Sequence, residues 1–344
     1  MSLDCPLPYG AHELVQLGHG AGGRLTAELL DRLVLPALGG PPEGPLEDAS
    51  LLPREGELVV STDSFVVSPL TFPGGDIGSL AVHGTVNDLA MRGALPVALT
   101  LAVIAEEGLP LGELRSVLGS AGKAAHQAGV PIITGDTKVV GRGAADRLFL
   151  NTTGIGRRVP GLTPSAARAR PGDAVLLSGP IGLHGTAVLS TREGLGFEAD
   201  IVSDTRPLHR LVQALAPFGG AVHSLRDPTR GGLAASLNEI ACASGIVVEI
   251  EEAAVPVPSA VAAACDLLGL DPLVVANEGC LVAFVAADAT DAILGALRAY
   301  PEAEQAVRIG HCGEAAAARV ELRTLIGARR VVDMPLGEQL PRIC

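Results

Sequence analysis

Tryptophan is absent, and aromatic residues make up only 2% of the chain, so its core has to be built from alanine, valine, leucine and isoleucine. Positive charge is in short supply. The formal net charge is −13, which argues against nucleic acid and against an anionic membrane surface as partners, since both need a basic face. No apolar run reaches the roughly 18 residues of a membrane-spanning helix. The opening Met1-Ser2-Leu3-Asp4 lacks the basic and apolar regions of a secretory signal, so a cytoplasmic, reducing setting is expected. The six cysteines include no Cys-x-x-Cys pair, and the spacing supports neither a zinc site nor a redox couple. Lysine is scarcest of all. Of 25 basic residues only Lys123 and Lys138 are lysine; the others are arginine. A retained lysine marks a place where a compact amine able to lose its proton is needed. Lys123 lies on a predicted helix face, whereas Lys138 lies in a motif.

What is present fits a globular protein. Of the 344 residues 48% are hydrophobic and 18% charged, enough for two domains with real cores. Apolar runs alternate with amphipathic segments. Strands are expected at 57–65, 130–134, 148–156, 174–178, 221–225, 246–250 and 281–286. Helices are expected at 25–35, 76–92, 111–128, 184–194, 207–216, 231–244, 259–268 and 290–299. The Pro/Gly/Arg-rich stretch 157–172 reads as a linker. Domains are therefore expected at 1–158 and 159–330, followed by a flexible tail, 331–344, that presents Cys344 as an exposed thiol. The cysteines Cys242, Cys265, Cys280 and Cys312 lie in apolar runs and read as small buried hydrophobes.

Four motifs carry chemistry. His19-Gly20-Ala21-Gly22-Gly23-Arg24 precedes a helix and can bring backbone N–H groups to a phosphate, or can be a plain turn. Asp63, Asp88, Asp136 and Asp227 stand at element ends or on an apolar helix. They suit a Mg²⁺ ion that bridges nucleotide phosphates, while each taken singly also suits a cap or turn. Asp88, in an apolar helix, needs a partner. Lys138 in Thr134-Gly135-Asp136-Thr137-Lys138 is expected on a strand-end loop, as a phosphate ligand or base, with a plain surface ion pair as the alternative that the scarcity of lysine weighs against. Glu278 in Ala276-Asn277-Glu278-Gly279-Cys280, ahead of an apolar strand, is a candidate general base.

Together with Phe72-Pro73-Gly74-Gly75-Asp76, Asp227-Pro228-Thr229-Arg230-Gly231-Gly232 and Pro341-Arg342-Ile343-Cys344, these motifs resemble the HypE family of hydrogenase-maturation carbamoyl dehydratases. That family belongs to the superfamily of aminoimidazole ribonucleotide synthetase and selenophosphate synthetase. The similarity runs from Gly18 to Cys344. It implies a two-domain α+β / α/β fold of the aminoimidazole ribonucleotide synthetase type and a homodimer built on the N-terminal domain. It further implies ATP and Mg²⁺ as cofactors, with Asp63, Asp88, Asp136 and Asp227 as the Mg-ATP carboxylates and His19, Gly20, Gly22 and Gly23 over the phosphates. Lys138 and Glu278 correspond to the pair that handles the carboxamide protons. Cys344 corresponds to a thiol carbamoylated by a carbamoyltransferase partner and dehydrated to a thiocyanate. An iron-carrying maturation scaffold would then accept the cyanide for a [NiFe]-hydrogenase. A ligase or kinase of the same superfamily, and a nucleotide-binding docking scaffold, are the competing readings.

Overall fold

The computed structural model describes residues 23–29, 31, 50–52, 56–194, 201–314, 317–337, 340 and 342–344. The first sheet has the order β1-β2-β7-β5-β6, where β1 is Ser50–Leu52, β2 Leu58–Phe65, β5 Ala94–Glu106, β6 Ile132–Val140 and β7 Leu148–Arg158. All pairs are antiparallel except β5 with β6. A two-stranded ribbon, β3 (Thr71–Phe72) and β4 (Gly75–Asp76), leads into the helix Ile77–Met91. Asp76 caps that helix: its carboxylate accepts from Ser79 N at 2.8 Å, and the Ser79 hydroxyl accepts from the Asp76 N–H in return.

The helix Ile77–Met91 is buried nearly all round, because the sheet, the helix Leu111–Ala128 and the second domain surround it. Gly78 permits the crossing with Leu111–Ala128: a Cβ there would lie 2.1 Å from the Val117 carbonyl oxygen. Between Ala81 and Ala90 the one residue that is not fully buried is Asp88. Its side chain therefore marks where the helix meets a cavity rather than core.

The second sheet has the order β14-β13-β10-β12-β8-β11-β9. Its strands are β8 Ala174–Leu177, β9 Val222–Arg226, β10 Val247–Glu251, β11 Val282–Val285, β12 Val307–Gly313, β13 Arg319–Arg323 and β14 Arg329–Val331. Two apolar clusters cover its faces, one with Leu233, Leu237 and Ile240, the other with Leu211, Val212, Ile293 and Leu297. Among the described residues no helix is long and apolar enough to cross a membrane.

Three expectations need correction. The stretch 94–106, left without an element by the sequence reading, is the 13-residue strand β5, paired on both sides. Its near-continuous apolar run shows no period-2 signal, and Pro96 reads as a breaker. A bulge between Pro96 and Ala98 accommodates that proline. The strand expected at 130–134 runs on to Val140, so Asp136 and Lys138 lie within β6 and not on a loop. The tail is docked: Ile343 is buried in the cluster around Phe65, Val67 and Phe72, and Cys344 packs against it.

Candidate active site

A cavity of about 210 Å³ lies between the two domains. Strand β2 contributes Thr62 and Asp63, and the helix Ile77–Met91 contributes Gly84 and Asp88, four residues apart and so on one helix face. The loop after β9 contributes Asp227, Thr229 and Arg230, the segment before β11 contributes Glu278, and the chain end contributes Cys344.

Each acidic group has its own environment. Asp88 accepts a hydrogen bond of 2.6 Å from the Ser61 hydroxyl, which meets the partner requirement of a carboxylate on an apolar helix. At Asp63 burial pushes the carboxyl up, against the opposing pull of Arg230 and the Ser64 N–H. Glu278 is 2% exposed, and its Oε1 has no hydrogen-bond partner among the described residues. Burial first, then the negative charges of Asp227, Asp204 and Asp63, hold its proton affinity well above the ordinary carboxylate range; Arg230 opposes them.

The backbone around Glu278 is tightly fixed. Asp204, itself buried, accepts from the Glu278 N–H at 3.1 Å and the Gly279 N–H at 3.0 Å. Asn277 receives the Gly182 N–H at 2.6 Å and donates to the Pro228 carbonyl at 2.9 Å, tying this segment to the Asp227 loop. A Cβ on Gly279 would fall 1.7 Å from the Asp204 carbonyl oxygen, so only glycine fits beside the glutamate.

Cys344 reaches the cavity through pairing of the last residues with the segment after β2. Val66 N–H donates to the Cys344 carbonyl and Ser68 N–H to the Arg342 carbonyl, both at 3.2 Å. As a residue Cys344 is half-buried. Its sulfur is hemmed in closely enough that burial pushes the thiol up to about 12, with Arg230 pulling down and Glu278, Asp63 and Asp88 pushing further up. The expected exposed thiol is thus corrected to a half-buried one docked against the cavity. Arg230 keeps some exposed surface at the cavity mouth, and its guanidinium is held charged by Cys344, then Asp63, Glu278 and Asp88.

The predicted residues fall into three groups. Asp63, Asp88, Asp227, Glu278 and Cys344 come together at the cavity. Asp136 and Lys138 do not line it. They form an exposed ion pair of 3.2 Å on β6, three strand positions from β2 and so about 14 Å away across the sheet. His19, Gly20 and Gly22 lie outside the described residues. Gly23 is described, with φ +82°, and a Cβ there would strike the Pro335 carbonyl, so the end of the glycine-rich segment abuts the tail.

Asp204 and Gly84 were missed from the sequence, where nothing distinguishes them. Arg230 was quoted within its motif without a role, although a basic residue three positions after Asp227 was the available signal. Among the described residues no three His, Cys, Asp or Glu side chains form a ready-made metal cage. Hard carboxylate oxygens spread along one cavity fit Mg²⁺, which takes one or two protein carboxylates and completes its shell with phosphate and water.

Residues 46–158 match the family AIR synthase related protein, N-terminal domain, and residues 170–323 match its C-terminal domain. The carbamoyl dehydratase HypE of Cupriavidus necator is 52% identical over 332 residues, covering 96% of this chain and 95% of that protein. The Escherichia coli carbamoyl dehydratase HypE is 44% identical over 336 residues, covering 96% of this chain and 99% of its own. The crystal structure of hydrogenase maturation protein HypE in complex with ATP superposes with a TM-score of 0.82 at 50% identity, over 96% of this chain and all of that one. A chain in the crystal structure of a HypE-HypF complex gives a TM-score of 0.85 at 45% identity, over 89% of this chain and 99% of that one. With both halves of the fold and nearly its whole length matched, this chain belongs to the HypE family of carbamoyl dehydratases, built on the two-domain AIR synthase related fold.

Proposed function

We propose that this chain uses ATP to dehydrate an S-carbamoyl group carried on its own Cys344 to a thiocyanate, supplying a cyanide ligand for the iron centre of a [NiFe]-hydrogenase. The observation that carries the reading is that Cys344 lines one cavity with Glu278, Arg230 and three aspartates.

The chemistry needs such a site. A thiocarbamate, Cys–S–C(=O)–NH₂, does not lose water readily because hydroxide is a poor leaving group. Transfer of the ATP γ-phosphoryl group to the carboxamide oxygen releases ADP and turns that oxygen into a phosphate ester. Loss of both nitrogen protons then drives the C–O bond to break, which expels phosphate and leaves Cys–S–C≡N. Glu278 suits the first proton: its burial and its acidic neighbours raise its proton affinity, and its Oε1 has no hydrogen-bond partner among the described residues. Arg230 suits the negative charge that develops on the carboxamide oxygen and phosphate. Mg²⁺, held by Asp63, Asp88 and Asp227, would neutralise phosphate charge when bound. The raised thiol of docked Cys344 fits a tethered substrate better than a nucleophile, because only a thiolate attacks. Carbamoyl loading by a carbamoyltransferase such as the partner in the HypE-HypF complex then takes place on the undocked tail.

Lys138 and Asp136 enter this reading through a homodimer. Strand β6 is an edge strand exposed on both faces, with Ile133 60% and Val139 72% exposed. A second copy that covers β6 would bring Asp136 and Lys138 toward the partner's ATP site, where Lys138 takes the second proton and Asp136 joins the magnesium ligands. The reading places the protein in the cytoplasm, with an iron-carrying maturation scaffold as cyanide acceptor. With carbamoyl phosphate and the carbamoyltransferase supplied, ADP and phosphate should form in proportion to Cys344, and Cys344→Ser should abolish that fraction. Undiminished product from the serine variant would contradict the reading.

A further inference from the structure

The last residues are held by more than backbone pairing. His184 is buried in the helix Leu183–Glu193, with its ring edge-on to Phe72 at 5.2 Å between centroids. Its Nε2 lies 2.9 Å from the Ile343 carbonyl and its Nδ1 2.8 Å from the Ser203 hydroxyl. The tautomer follows from the partners. A carbonyl oxygen only accepts, so Nε2 carries the proton and donates. The Ser203 oxygen already accepts from the Thr205 N–H at 3.1 Å, which leaves its own proton for Nδ1. Burial agrees: it lowers the imidazole to about 4 and keeps it neutral.

Two further groups grip the neighbouring residue. Arg192 donates to the Arg342 carbonyl at 2.8 Å and also to the Ser68 carbonyl. The Arg342 guanidinium donates to the Val66 carbonyl and pairs with Asp146. Arg342 adopts φ +52°, a left-handed conformation that a non-glycine residue keeps only where its surroundings hold it.

We propose that His184 is a positioning residue for the reaction, the fixed donor of a clamp, completed by Arg192 and Asp146, that reads the C-terminal Arg-Ile-Cys and sets where the Cys344 sulfur stands in the cavity. The proposal rests on Cys344 as the tethered substrate. Its immediate consequence, docking of the tail, is measurable without any chemistry. The ring touches Ile343, not the reacting group, so it acts through the backbone of the residue next to the carrier.

The test compares full-length wild type, His184→Ala and His184→Gln for iodoacetamide labelling of Cys344, read from the mass of the C-terminal peptide, without ATP or carbamoyl donor. The alanine variant leaves the Ile343 carbonyl without its donor and the Ser203 hydroxyl proton without its acceptor in a buried site, and labelling of Cys344 is expected to rise about tenfold. The glutamine amide can donate in place of Nε2, so His184→Gln should stay within about twofold of wild type. Cys265, buried in a separate cluster, is the internal control and should not change. Should His184→Ala not fold, Asp146→Asn, on a half-exposed side chain, must give the same rise by loosening Arg342. Unchanged Cys344 labelling, or equal rises at Cys344 and Cys265, would overturn the clamp. Absence of nitrile formation by the wild type would instead sink the proposed function and leave the protection of Cys344 intact.

Discussion

The backbone N–H of Val66 donates a 3.2 Å hydrogen bond to the carbonyl of Cys344. The chain end is thereby fastened directly behind β2, the strand that carries Asp63. A thiol far from every other site residue in sequence is thus delivered to the acidic cavity by main-chain pairing.

Replacement of Glu278 by glutamine should remove the proposed base while it keeps the shape. Single-turnover nitrile formation is expected to fall by about 10²–10⁴-fold, whereas protection of Cys344 from alkylation stays as in wild type. A rate within about threefold of wild type would move the role to another residue.

The same substitution carries a stability signature with a definite sign. A carboxyl whose proton affinity is raised on folding binds more protons in the native than in the unfolded state, so its contribution to stability falls as pH rises above the unfolded value near 4.5. Glu278→Gln should therefore gain on wild type from that pH upward, by at most about 1.4 kcal/mol for each pH unit until the raised native value is passed. Denaturant midpoints of both proteins between pH 4 and 8, the span over which carboxyl linkage acts, check it; a gap that narrows as pH rises would refute it.

Gly279→Ala should be severely destabilising, since its Cβ would fall 1.7 Å from the Asp204 carbonyl and the backbone must move. A loss of about 3–5 kcal/mol in urea unfolding is expected. A neighbouring control, Gly269→Ala, has open space at its Cβ but φ +68°, and should cost only about 1 kcal/mol.

The exposed strand β6 makes oligomerisation testable. Sedimentation should give twice the 34.9 kDa chain mass, and Val139→Asp should give monomers. Mixed dimers of Lys138→Ala with Glu278→Gln should recover part of the activity that each variant lacks alone, because one of the two shared sites is then intact. Equal inactivity of the mixture and the separate variants would confine the site to one chain.

Much of this was legible in the sequence, for identifiable reasons. The helix Ile77–Met91 was bracketed to within a residue at each end by its long apolar run, and the structure adds the Asp76–Ser79 cap that starts it. Asp88 stood out because a carboxylate in an apolar helix must face something polar. Strand β5 was not legible, since its near-continuous apolar run shows no alternation, even where Val97 and Ile104 face outward, and Pro96 argues against a strand. Asp204 was equally hidden: it works through the backbone N–H groups of Glu278 and Gly279, a contact made in space between distant segments. The thiol of Cys344 was read as exposed because local sequence records the lack of periodicity in the tail but not the groove beside Val66, Ser68 and His184 that receives it.

The most direct measurement is the mass of the C-terminal peptide after full-length protein is incubated with ATP, carbamoyl phosphate and the carbamoyltransferase. Cys344 should first gain one carbamoyl group and then, with ATP and Mg²⁺, lose one water to give the thiocyanate, at no other cysteine. A carbamoyl group that persists on Cys344 while ATP is consumed would contradict the account.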